Sequence, residues 1–151
     1  MNTAEIVRIN IKNHHLYCDM VYKRVKGRER NLEEKIDTKI NHSKRIEKEL
    51  NNKNFYVYAA KHNNKFIGWI HILYVPKIGK WNKGVLQIDE LYVEKNYRNM
   101  GLGTELVKTA LKLRDDLELE KIRLYTDNPI AQRVYEKAGF KIINQCVFME
   151  N

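Results

Sequence analysis

The chain has 151 residues, with 28 Lys and Arg against 19 Asp and Glu, which gives a formal net charge of +9. Its 43% of apolar residues can fill one core, and the length predicts a single domain over residues 1–151. No run approaches the roughly 18 apolar residues of a membrane-spanning helix, and the amino terminus lacks the layout of a signal peptide. Two cysteines, Cys18 and Cys146, make neither a disulfide framework nor a metal spacing, so we predict a reduced, cytoplasmic protein without membrane contact.

The first third of the chain predicts a strand followed by two helices. Residues 5–11 alternate between apolar and polar side chains, as a half-buried strand does. A looser pattern over residues 14–26 predicts a helix. Asn31 and Glu34 then have the capping-box spacing that begins a second helix, whose apolar stripe extends to Leu50.

From residue 55 onward, segments with the period of a strand alternate with amphipathic helices. Pro129 occupies a first helical position and Gly139 the position after a helix end. The predicted elements are strands at 55–60 and 66–75 around a turn at 62–65, a strand at 84–93, a helix at 102–117, a strand at 121–126, a helix from Pro129 to Gly139, and strands at 140–143 and 146–149. This order predicts an α/β protein with a mixed sheet.

The positive charge fits a nucleic-acid-binding protein, but it also fits a protein that binds an anionic cofactor. Lysines are spread along the whole chain, and the densest basic cluster lies at residues 23–30. We interpret this cluster as a solvated connection between two helices, with a functional basic patch as the alternative.

The clearest chemical signal lies where the strand ending at Val93 leads into a helix with two glycines at its start. The first turn of a helix presents unpaired N–H groups, and Gly101 and Gly103 let a phosphate approach them closely. Arg98 adds a cation, so this loop is predicted to bind a pyrophosphate. The lysine of a Walker loop is absent, and Leu106 occupies the place of the third glycine of a dinucleotide loop.

The spacing Arg98-x-x-Gly101-x-Gly103 resembles the acetyl-coenzyme A loop of the GNAT superfamily of N-acetyltransferases. Residues 127–140 independently resemble the superfamily's Asn-x-x-Ala-x-x-x-Tyr-x-x-x-Gly-Phe segment. The order of elements is similar over most of the chain, and the motifs are specific over residues 88–140. Residues 1–54, where acceptor specificity usually lies in this superfamily, show no specific match.

The resemblance implies the GNAT fold, with a mostly antiparallel sheet of about six to seven strands splayed in the middle and about four helices. It implies acetyl-CoA as the acetyl donor, without a metal. The pantetheine arm would pair with the backbone of Leu91 and Val93, and the N–H groups from Asn99 to Thr104 would hold the pyrophosphate. The expected cofactor-binding residues are Leu91, Tyr92, Val93, Arg98, Asn99, Met100, Gly101, Leu102, Gly103, Thr104, Asn128, Ala131 and Tyr135.

The resemblance also implies catalytic roles. Tyr135 would be the general acid for the departing thiolate. A lysine-like amine has a pKa of about 10.4, so its proton must be accepted, directly or through water. Asp89 and Glu90 are the candidate bases, and because they alternate along one strand, at most one of them faces the acceptor unless a bulge intervenes.

The expected acceptor is a primary amine of a small molecule, such as a polyamine or an aminoglycoside-like compound. The histone-acetylating branch usually has its Glu where this chain has Gln87, and the branch acting on ribosomal-protein N-termini has a Glu where this chain has Arg123. A protein or peptide acceptor remains the alternative, followed by a non-catalytic acetyl-CoA sensor and, less favoured, a nucleic-acid-binding domain. A homodimer is one candidate for the oligomeric state.

Overall fold

The structure is a computed structural model that describes residues 4–41 and 43–151. The described residues form five strands and five α-helices, which follow the predicted order except for one additional helix and the absence of the last two strands. The strands are β1 (Glu5–Arg8), β2 (Phe55–His62), β3 (Lys65–Val75), β4 (Val85–Val93) and β5 (Ile122–Leu124). The helices are α1 (His14–Lys26), α2 (Leu32–Ile40), α3 (Lys44–Leu50), α4 (Leu102–Asp116) and α5 (Pro129–Lys137).

The sheet has the order β1-β2-β3-β4-β5, in which the first four strands are antiparallel and β5 lies parallel to β4. This mixed sheet confirms the predicted fold class. The turn between β2 and β3 is also confirmed, because Asn63 and Asn64 adopt φ angles of 47° and 58° as a tight hairpin turn requires.

The predictions of the second helix and of the two carboxyl-terminal strands were wrong. The second helix is divided: α2 has the predicted capping box between Asn31 and Glu34, whereas α3 has its own N-cap, Ser43, whose side chain accepts a hydrogen bond from the Ile46 N–H. Position 42, which the prediction included in this helix, lies outside the described residues. The strands predicted at 140–143 and 146–149 do not form, because no strand of the described chain pairs with them.

Each face of the sheet has its own apolar core. On one face, α4 packs onto β2, β3 and β4 and α5 packs beside α4, and this core includes Leu106, Val107 and Tyr135. On the other face, α1 covers Trp69 and Phe66 of β3. Among the described residues, no helix is long and apolar enough to cross a membrane.

The pairing of β4 changes twice near its middle. The parallel pairing with β5 extends only from Leu86 to Ile88 of β4, although β4 continues to Val93. On the opposite side, His71 pairs with Glu90 while the next residue of β3 pairs with Ile88, so Asp89 is the extra residue of a β-bulge. The sheet therefore opens at the point where the bulge changes the direction of the following side chains.

Candidate active site

Beyond Ile88, β4 exposes one edge of its backbone to the gap left by β5. The Glu94 N–H donates to the carbonyl of Ile67 on β3, which fixes the alternation of hydrogen bonds along this antiparallel pair. Leu91 and Val93 therefore direct their N–H and C=O groups away from β3 and into the gap. These are the backbone groups that the sequence predicted to pair with an extended ligand arm, and the structure leaves them without a strand partner among the described residues.

The loop after β4 turns the chain sharply into α4. Asn99 and Gly101 have φ angles of 62° and 79°, and Gly101 is the N-cap of α4. Successive N–H groups in such a loop, together with the first turn of a helix, form a concave site for an anion. Gly103 lies against α5, where a Cβ at this position would come within 3.4 Å of the Val134 side chain, about van der Waals contact.

Arg98 braces this loop. Its Nε donates a hydrogen bond of 2.9 Å to the Val93 carbonyl, and the side chain is exposed beside the start of α4. The residue thereby closes the turn and keeps a cation next to the first turn of α4, where the sequence predicts the pyrophosphate. The other residues predicted for this loop lie around the same turn, with Met100 exposed and Leu102 and Thr104 half-buried.

The remaining residues that the sequence predicts to bind the acetyl donor lie on helix α5 and at its N-cap. The Asn128 side chain caps the helix by accepting hydrogen bonds from the Ile130 and Ala131 N–H groups at 2.9 and 3.4 Å. Tyr135 is buried in the core under α4, and its ring lies 5.7 Å from that of Phe140. Burial raises the pKa of Tyr135 to about 12, so its hydroxyl keeps its proton at neutral pH.

The bulge separates the two candidate carboxylates. Ile88 and Leu91 both pack in the core under α4, and with Asp89 as the extra residue this places Glu90 on the opposite face, under α1. Asp89 is exposed. The Glu90 carboxylate accepts a hydrogen bond of 2.7 Å from Arg24 of α1 and lies 3.8 Å from the Nδ1 atom of His71.

His71 continues a polar chain that begins at Glu90. Its Nε2 atom lies within hydrogen-bond distance, 3.2 Å, of the Tyr17 hydroxyl. Burial lowers the pKa of His71 against the opposing effect of Glu90, so the imidazole is neutral at pH 7. Burial, and secondly the charge of Glu90, raises the pKa of Tyr17 to about 12.

Aromatic rings enclose this polar chain. Trp69 and Tyr92 lie with ring centroids 4.3 Å apart, and the Arg24 guanidinium lies over both, 5.3 Å from the Trp69 centroid and 4.5 Å from the Tyr92 centroid. The buried Nε1 atom of Trp69 has no hydrogen-bond partner among the described residues. We call the site that Trp69, Glu90 and Tyr92 form around the Arg24 guanidinium the cation cage.

Sequence analysis missed most of this face. Tyr92 was predicted to bind the cofactor, but the structure places its side chain in the cation cage, away from the gap. Trp69 and His71 are two positions apart on β3, so the period of a strand puts them on one face and could have indicated a shared site. Tyr17 and Arg24 carried no comparable signal, because only the packing of α1 brings them there.

Basic residues of the cluster at 23–30 form ion pairs with acidic residues of the same chain. Lys23 pairs with Glu94, Arg24 with Glu90, Arg28 with Glu34, and Arg30, which is buried, with Asp19. Residues 23–26 belong to α1, so only residues 27–30 form the predicted connection between helices, and these ion pairs engage cations that a nucleic-acid surface would leave free. Among the described residues, no group of three His, Cys, Asp or Glu side chains could hold a metal ion.

The chain belongs to the GNAT family of acetyltransferases. The model of the Acetyltransferase (GNAT) family matches residues 10–140, which include the loop at Arg98 and the whole of α5. Membership confirms the resemblance seen in the motifs. The protein is therefore an acyltransferase with acetyl-CoA as its acetyl donor.

Solved structures share the fold at low sequence identity. An aminoglycoside acetyltransferase from an uncultured soil metagenomic sample superposes with a TM-score of 0.78 at 19% identity, covering 99% of this chain and 96% of its own. Aminoglycoside N-acetyltransferase AAC(6')-Iy, in complex with CoA, gives 0.73 at 14% identity, covering 97% and 98%. A ribosomal-protein-alanine N-acetyltransferase from Brucella melitensis gives 0.70 at 13% identity, covering 98% and 99%.

The loop geometry predicts that Gly101→Asp weakens acetyl-CoA binding at least about tenfold, because it places a carboxylate against the pyrophosphate site. Gly139→Asp is the matched control, since Gly139 also has a positive φ, 91°, and open space around its Cβ position but lies at the end of α5. Both variants should lose similar thermal stability. Isothermal titration should show the affinity loss in Gly101→Asp alone, and equal affinities in the two variants would contradict this placement of the pyrophosphate.

Proposed function

We propose that this enzyme transfers an acetyl group from acetyl-CoA to the primary amine of a small cationic molecule. The observation that carries the proposal is the position of Glu90. This carboxylate lies in an aromatic site on one face of β4, directly after the bulge where the other edge of β4 becomes free. A donor held along that edge and an amine held at Glu90 would meet at this opening of the sheet.

The donor side of the site is built from backbone groups. Leu91 offers its N–H and C=O groups and Val93 its N–H group to an extended arm, while the Val93 carbonyl accepts the hydrogen bond from Arg98. The loop from Asn99 to Thr104 offers N–H groups to a pyrophosphate, with Arg98 beside it. The Asn128 oxygen caps α5, which leaves its amide nitrogen to contact the donor next to Ala131. Acetyl-CoA supplies the acetyl group as an activated thioester.

Glu90 is the proposed general base. A protonated amine cannot attack a carbonyl, and a carboxylate beside an ammonium can accept its proton directly or through water. The neutral His71 imidazole lies 3.8 Å from the Glu90 carboxylate and within hydrogen-bond distance of the Tyr17 hydroxyl, so it borders the base without a direct hydrogen bond to it. Asp89 is exposed at the bulge, so we assign it no part in the proton transfer.

Tyr135 is proposed to stabilise the leaving sulfur. A thiol has a pKa of about 8.5, well below the value of about 12 that burial gives Tyr135, so complete proton transfer from this hydroxyl to a thiolate is unfavourable. A protonated phenol can still donate a hydrogen bond to the negative charge that develops on sulfur. We therefore propose hydrogen-bond donation as the main contribution of this residue.

One further observation supports a small acceptor. The positions at which protein-acetylating branches have a glutamate are Gln87 and Arg123, and here the Arg123 Nε donates to the Gln87 Oε1 at 3.3 Å across β4 and β5. These side chains thus link two strands and offer no carboxylate to a peptide.

Both cysteines are free thiols, which fits a reducing compartment, and the proposal places the enzyme in the cytoplasm.

The direct test is release of free thiol from acetyl-CoA in the presence of an amine panel. The panel contains polyamines, aminoglycosides, amino acids and peptides with free N-termini. We expect turnover with a small-molecule amine. Turnover with peptides alone would favour a protein acetyltransferase, and stabilisation by acetyl-CoA without turnover of any amine would favour a sensor.

For the amine that is turned over, Glu90→Gln should lower kcat by about 10²-fold at neutral pH, because the amide cannot accept the proton. The glutamine keeps the size of the side chain and an oxygen for Arg24. Asp89→Asn removes the neighbouring charge and should leave kcat within about twofold. Steady-state kinetics with both substrates varied gives the two kcat values. A larger loss of kcat in Asp89→Asn than in Glu90→Gln would show that Asp89, and not Glu90, is the base.

We also propose that the protein is a homodimer in which a second copy covers the carboxyl-terminal segment, residues 141–151. Its apolar side chains are exposed by 66–86%, and these are Ile142, Ile143, Val147, Phe148 and Met149. Their pattern predicts strands, and β5 has a free edge at the end of the sheet. Exposed apolar strands and unpaired edges promote association, so a strand of one copy on β5 of the other would satisfy both.

Light scattering coupled to size-exclusion chromatography should give twice the 18.1 kDa mass of the chain. Val147→Lys combined with Phe148→Lys should shift the protein to the monomer without unfolding it, because neither side chain belongs to the core. A monomeric wild-type protein would overturn the dimer and indicate that the segment packs on its own chain.

A further inference from the structure

We propose that Arg24 is the resting occupant of the acceptor's cation site, and that the amine substrate binds by displacing its guanidinium from Glu90. This inference rests on the proposed function, because it concerns the same carboxylate. It adds a residue of α1 that controls access to that carboxylate. It also gives the chemical class of the group that binds there, a single compact organic cation.

The cation cage already contains such a cation. The Arg24 Nη1 atom donates to the Glu90 Oε1 at 2.7 Å, and the guanidinium carbon lies 4.5 and 5.3 Å from the Tyr92 and Trp69 ring centroids. A carboxylate combined with aromatic faces is the usual way in which proteins recognise an organic cation. The surroundings of Arg24 are therefore those that a protonated amine would need.

The resting arrangement is incompatible with base catalysis. While the Glu90 carboxylate is ion-paired with a permanently charged guanidinium, its negative charge is partly satisfied and its Oε1 atom is engaged. For Glu90 to accept a proton from the amine, the amine must take the place of Arg24. The exchange replaces one cation by another, so Glu90 never remains without a counterion.

Helix α1 does not depend on Arg24 for its position. Lys23 pairs with Glu94 at the end of β4, and Leu16, Tyr17, Met20 and Val21 pack against the apolar face of the sheet. The Arg24 side chain itself is 44% exposed, so water is available to it when it leaves the cage. Release of the guanidinium can therefore proceed by side-chain rotation with the helix in place.

Kinetics on Arg24→Ala give the first test, with Lys23→Ala as the matched control. Lys23 is the adjacent cation and also pairs with a glutamate of this region, but outside the cage. Arg24→Ala should lower the KM for the amine by roughly threefold to tenfold, because a larger fraction of the enzyme is open to substrate. The KM for acetyl-CoA should not change, and Lys23→Ala should keep the wild-type KM for the amine.

Adding methylguanidine to the Arg24→Ala variant distinguishes whether Arg24 only occupies the cation site or supports the structure of the site. In Arg24→Ala it should inhibit competitively with the amine, because it refills the empty position. If Arg24→Ala instead raises the KM for the amine, or if methylguanidine activates this variant, Arg24 supports catalysis and the inference is overturned.

A binding experiment keeps the inference independent of turnover. In a Trp81→Phe background, Trp69 is the remaining tryptophan, and position 81 is an exposed site away from the core. Methylguanidine should change the Trp69 fluorescence saturably in Arg24→Ala and much more weakly in the parent with Arg24. The absence of a saturable change in Arg24→Ala would contradict the cation site, whether or not an amine substrate is known.

Discussion

The free edge of β4 is the constraint on which the rest of the site depends. β5 leaves β4 after Ile88, and the backbone groups of Leu91 and Val93 then face a gap with no strand in it. Backbone N–H and C=O groups bind hydrogen-bonding partners almost without exception, so an unpaired edge inside a fold favours a ligand that extends along it. The left-handed turn at Asn99 and Gly101 places the start of α4 at the end of the same gap.

The bulge at Asp89 connects this edge with the opposite face of the sheet. Without the extra residue, Glu90 would point into the core under α4, where an unpaired carboxylate is very costly. With it, Glu90 lies under α1 next to His71, while Leu91 returns to the core. One irregular residue thus places the backbone edge proposed for the donor and the side chain proposed for the acceptor on the same short stretch of β4.

The local structure around the residues proposed for the donor side could be predicted from the sequence because it depends on near neighbours. The glycines at 101 and 103, the capping residue Asn128 and Pro129 each act on the few residues around them, and their spacing is readable without the fold. The proposed acceptor side depends on distant contacts, because Arg24 meets Glu90 across 66 residues and the bulge arises from the pairing of two strands. The prediction of the carboxyl-terminal strands was wrong for the same reason, because a segment with strand propensity forms a strand only when another strand pairs with it.

Amide hydrogen exchange with and without acetyl-CoA tests most directly whether the gap at β4 holds the donor. The account predicts slower exchange at Leu91, Val93 and residues 99–104 when acetyl-CoA is bound, because these N–H groups gain partners or lose contact with water. Peptides from β2, which is paired on both sides, should exchange equally in the two states. Tight binding of acetyl-CoA with unchanged exchange in residues 91–104 would contradict the account.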